Sequence, residues 1–112
     1  MAFVPMSRIG RGIIHLGVFG ENVLISTREE MKRDPFIEGP RIESKLQTID
    51  GVIEDLGKAI AHAGTLGYNN LVTEGRPWLA TLTSGREGVH RWLMGLPPRP
   101  LPMIIERIWP PR

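Results

Sequence analysis

The sequence predicts an α+β fold: a β-hairpin-based antiparallel sheet packed with one long amphipathic helix, then a second short helix and an extended proline-rich C-terminal arm. Three observations predict it. Residues 13–27 alternate in polarity on either side of Gly20-Glu21. Apolar residues from Ile42 to Ala63 recur at steps of four and three. Six of the last sixteen residues are proline. A chain of 112 residues suits one domain, here expected over 1–96, with 97–112 as the arm.

The hairpin comes first. Ile13–Phe19 and Val23–Thr27 read as strands, with glycine where a type II′ turn requires it. A two-residue loop sets Val18 against Val23, Leu16 against Ile25 and Ile14 against Thr27 on one apolar face. The other face mixes His15, Gly17, Leu24 and Ser26. A lone hairpin is marginal in water, so this face needs a cover.

Residues 28–40 form a charged connector, in which Asp34-Pro35 disfavours helix at Asp34 and Pro40 suits a helix first turn. The long helix follows. Ile42, Leu46, Ile49, Ile53, Leu56, Ile60 and Ala63 make a heptad seam through three repeats. Its flanks, Glu43, Lys45, Asp50, Val52, Gly57, Ala59 and Gly64, pass from charged to small. Gly51 and Gly57 each cost the helix ~1 kcal/mol relative to alanine, while burying the seam returns on the order of 10 kcal/mol gross. Packing therefore holds this helix. Its cover is either the chain's own sheet or another helix, within the chain or in a second copy. The glycines weigh against a free-standing coiled coil.

Gly64-Thr65-Leu66-Gly67 ends the helix. Residues 71–83 fit either a second hairpin around Glu74-Gly75-Arg76-Pro77 or a helix opened by Pro77. Thr83-Ser84-Gly85 favours a break, after which Ser84 and Glu87 match a capping box. The short helix then gathers Val89, Trp92, Leu93 and Leu96 on one face and stops near Gly95. In the arm, prolines that favour polyproline II flank an apolar stretch containing Leu101, Met103, Ile104, Ile105, Ile108 and Trp109. An apolar segment of this kind is expected to dock on a neighbouring subunit or on its own domain.

Composition removes several function classes. With no cysteine there is no disulfide, thiolate catalysis or cysteine-bound zinc. No apolar run approaches the ~18 residues of a membrane span, and residues 1–12 lack the pattern of a signal peptide. A soluble protein of the cytoplasm or of a virion is expected, with no membrane partner. Net charge is +2. Eleven of the fourteen basic residues are arginine, and the positive excess lies at the ends, +2 over the first twenty residues and +2 over the last sixteen. Arg8, Arg11, Arg86, Arg91, Arg99, Arg107 and Arg112 are the candidates for contact with phosphate or an acidic partner.

No catalytic, metal or cofactor motif is expected. Gly10, Gly12 and Gly17 miss the dinucleotide-loop spacing and precede a predicted strand. His15, His62 and His90 share no metal-ligand spacing. The adjacent carboxylates Glu29-Glu30 and Glu54-Asp55 lie in polar stretches and read as solvated surface.

The expected function is a non-enzymatic structural subunit of a larger assembly, with a phage-type virion component as the favoured setting. It would grip other protein subunits, including copies of itself, through Ile42, Leu46, Ile49, Ile53, Leu56 and Ile60 and through the arm. The second reading is a small nucleic-acid-binding protein or ribonucleoprotein accessory subunit using the arginine-rich ends.

Overall fold

The computed structural model describes residues 5–34, 37 and 39–95. They form three long α-helices: α1 (Met6–Arg33), α2 (Gly39–Thr65) and α3 (Asn69–Leu93). At 1.5 Å per residue each is about 40 Å long. There is no strand among the described residues, so the expected α+β fold and its antiparallel sheet are replaced by an all-α three-helix bundle. Leu101, Met103, Ile104, Ile105, Ile108, Trp109 and the rest of the arm lie outside the described residues.

Residues 13–27, expected as a hairpin, are the middle of α1. Its buried residues are Ile9, Ile13, Gly17, Gly20, Leu24, Thr27 and Met31, a helical stripe of steps four and three. Two core positions are glycine, so that stripe shows no side chain at its centre. The β-branched residues around them, Ile13, Ile14, Val18, Val23 and Ile25, imitate alternation. The physical reason the helix wins is coverage. A hairpin leaves one face and two edges to be satisfied, whereas a helix closes its own backbone bonds and offers one face to two neighbours. Thr27, fully buried, donates its hydroxyl to the Val23 carbonyl at 2.7 Å, so its burial leaves no unmet polar group.

The expected connector is shorter than 28–40, because helix continues to Arg33. Asp34 takes an extended conformation (φ −133°, ψ 88°), as its place before proline requires. Its N–H still reaches the Glu30 carbonyl at 3.0 Å.

The α2 reading agrees with the structure in span and seam. Ile42, Leu46, Ile49, Leu56, Ile60 and Ala63 are buried, while Ile53 is half-buried and Val52 is buried beside it. The cover is α1 and α3, so the seam is a helix–helix seam within one chain. Val52 joins the core because Gly20 of α1 lets it approach, a Cβ on Gly20 falling 3.0 Å from Val52 Cγ1. Gly67 (φ +79°) ends α2, with Tyr68 N–H bonded to the Ala63 carbonyl at 2.9 Å and Gly67 N–H to Gly64 at 3.0 Å. This is a Schellman stop at the glycine the sequence offers.

α3 overturns two expectations. It begins at Asn69 rather than after Ser84, and it passes through Pro77 and through Thr83-Ser84-Gly85 without a break. Residues 71–83 are therefore helix, with no second hairpin, and Ser84 caps nothing because it lies inside the helix. Pro77 is exposed and so is Thr73. The carbonyl that Pro77 leaves without an N–H partner is thus on the water side. Gly85 sits there for packing, since a Cβ on it would lie 2.5 Å from Leu24 Cδ1. The helix does stop near Gly95 (φ +71°).

The glycine contacts give the register. Gly10 meets Leu71, Gly17 meets Trp78, Gly20 meets Leu82, and Leu24 meets Gly85. Both members of each pair rise together, so α1 and α3 run parallel at close range. α2 runs against both. Gly75 of α3 receives Ile60, and Arg86 of α3 pairs bidentately with Asp50, Nε–Oδ1 2.9 Å and a second N–H to Oδ2 at 3.4 Å. Glu30 of α1, with its side chain 16% exposed, binds Arg41 and Lys45 of α2.

Candidate interaction surface

A three-helix bundle buries one stripe per helix, and the opposite stripe of each is normally polar. On α2 that holds: Glu43, Ser44, Gln47, Asp50, Glu54, Asp55, Lys58 and Ala61 are exposed. On α1 it does not. Ile14, Val18 and Ile25 are 51, 44 and 41% exposed. Their steps of four and seven place all three within about 40° of one another around the helix, about 125° round from the middle of the core stripe. They extend over about 16 Å of its length.

Arg11 and Glu29 flank the stripe on one edge and Glu21 on the other, all exposed. Phe19, also exposed, turns towards α2. It lines a shallow groove with Asn22, Val23, Ser26, Lys45 and Thr48. Single exposed apolar residues are ordinary, but several aligned on one helix face mark a contact surface.

The interface candidates read from the sequence fall elsewhere. Ile42, Leu46, Ile49, Leu56 and Ile60 lie in the chain's own core, with Ile53 at its edge. Ile14, Val18 and Ile25 were expected inside a half-buried hairpin and are instead the exposed face. The signal that would have found them is the stripe Ile13-Gly17-Gly20-Leu24-Thr27-Met31, legible only when glycine is admitted as a core residue.

The arginines do not form one patch among the described residues. Arg8 and Arg11 lie in the first two turns of α1. Arg91 lies in the last turn of α3, which is parallel to α1, so about 30 Å of helix separates them. Arg86 is held by Asp50. Arg99, Arg107 and Arg112 lie outside the described residues.

Among the described residues no three His, Asp or Glu side chains converge as metal ligands, and no helix is long and apolar enough to cross a membrane. No protein-family model, curated protein or solved structure matches the chain. The described residues form an up–down–up three-helix bundle whose first helix carries an exposed apolar stripe.

Proposed function

We propose that the chain is a non-enzymatic assembly subunit, joining a multi-subunit complex through the outer face of α1. The observation that supports this is the alignment of exposed Ile14, Val18 and Ile25 on a side of α1 that the core stripe does not use. The heptad face of α2 has no part in docking, because α1 and α3 cover it. The arm remains a second proposed contact. It follows Gly95, which lies at the end of the bundle where α1 finishes, since α1 and α3 are parallel. A phage-type virion is one setting in which such a subunit works, and no comparison singles it out.

Photo-crosslinking tests this reading. A benzophenone side chain replaces Val18 in the full chain, in the cells that express it, and Lys58 on the outer side of α2 serves as control. Adducts with other polypeptides are expected from position 18 and few from position 58. Equal labelling at both positions would overturn the assignment.

A further inference from the structure

We infer that the outer face of α1 pairs with the same face of a second copy of this chain, the two helices antiparallel about a twofold axis beside residues 19 and 20. This rests on the interaction surface proposed above and names its occupant. The apolar stripe is nearly symmetric about that point. Setting Ile14 opposite Ile25 of the second copy sets Ile25 opposite its Ile14, with the two Val18 side chains about 4.5 Å apart along the axis between them.

Charge chooses the direction. From Met6 to Val18 α1 carries Arg8 and Arg11 and no acid, whereas the same face further on carries Glu21 and Glu29. In a parallel pair the Arg11 edge of one helix meets the Glu21 edge of its mate, with those two residues about 15 Å apart along the axis, so neither charge gains a partner. The antiparallel pair sets Arg11 within one residue of Glu29 of the second copy, twice per dimer, on the edge that antiparallel helices share. Arg11 has no carboxylate within 4.0 Å among the described residues, so it is available to that partner. Among the described residues the Glu29 carboxylate has one cation nearby, Lys32 of its own helix at 3.7 Å. On the other edge the two Glu21 side chains approach each other, a mild opposing contact. A single helix face makes a small interface, of the size seen in transient encounters.

Sedimentation equilibrium of the full chain, in a concentration series up to about 1 mM, reads the result. The expected mass rises from the 12.5 kDa of one chain towards twice that value. Ile14→Asp and Ile25→Asp should hold the mass at one chain with unchanged helical circular dichroism, because both positions are exposed. Arg11→Glu should weaken pairing about 2–10-fold, and adding Glu29→Arg should restore it. Glu21→Gln should tighten it, a response that a merely solvated carboxylate would not give.

A single-chain mass across the whole series overturns self-pairing. If position 18 still crosslinks to other polypeptides, the assembly reading stands without it. A dimer that survives Ile14→Asp, or a charge swap without recovery, overturns the face or the direction.

Discussion

α1 and α2 are almost equal in length and share one core, yet they fill it by opposite means. α2 fills space with side chains: Ile42, Ile49 and Leu56 are each fully buried. α1 fills much of its share with backbone, since Gly17 and Gly20 stand where side chains of α3 press in. A Cβ on Gly17 would lie 2.4–2.7 Å from three ring atoms of Trp78, including Cγ at the root of that side chain. A Cβ on Gly20 would lie 2.7 Å from Leu82, itself fully buried, and 3.0 Å from Val52. The difference teaches that these two helices tolerate change differently. Side-chain packing loses energy when atoms are removed, and glycine packing loses it when atoms are added.

The largest expected effect is on the side-chain half of this contrast. Leu56→Ala removes a fully buried side chain at the centre of α2, and urea unfolding should show a loss of about 2–5 kcal/mol. Next come Gly17→Ala and Gly20→Ala. Each gains about 1 kcal/mol of helix propensity, but the clash requires Trp78, Leu82 or Val52 to move. A net loss of about 1–3 kcal/mol is expected. Trp78→Leu on the Gly17→Ala background should recover part of that loss in a double-mutant cycle. Its failure to do so would remove Trp78 as the cause.

The smallest effects have the opposite sign. Gly12 and Gly51 are exposed helix positions with open space where a Cβ would go. Gly12→Ala and Gly51→Ala should each stabilise by about 0.5–1 kcal/mol, read as a raised thermal midpoint. One substitution, glycine to alanine, thus separates the two kinds of glycine. Equal signs at Gly12 and Gly17 would dissolve the comparison.

That division also explains what was legible. The α2 seam was visible because its core positions carry branched side chains at helical steps, and its stop was visible because Gly67 takes a positive φ in a Schellman turn. Gly20 and Gly85 looked like the same kind of punctuation. They are close-approach sites inside continuous helices, at Leu82 and Leu24 respectively. A glycine that turns the chain and a glycine that admits a neighbour are the same letter, and only the neighbour tells them apart. The exposed face of α1 was hidden by that ambiguity, because Ile14, Val18 and Ile25 appear inward-facing when residues 13–27 are taken as strands.

By itself the sequence determined α2, its apolar face, the breaks at Asp34-Pro35 and Gly67, and the absence of cysteine chemistry. Periodicity and backbone restriction are local properties, and local patterns carry them. The tertiary structure alone decided that α1 and α3 are helices throughout, which of their glycines are core, and which side of α1 faces water. Those outcomes depend on contacts between residues about sixty positions apart, such as Gly17 with Trp78. No window along the chain contains both members of such a pair, so burial, rather than local propensity, set the conformation.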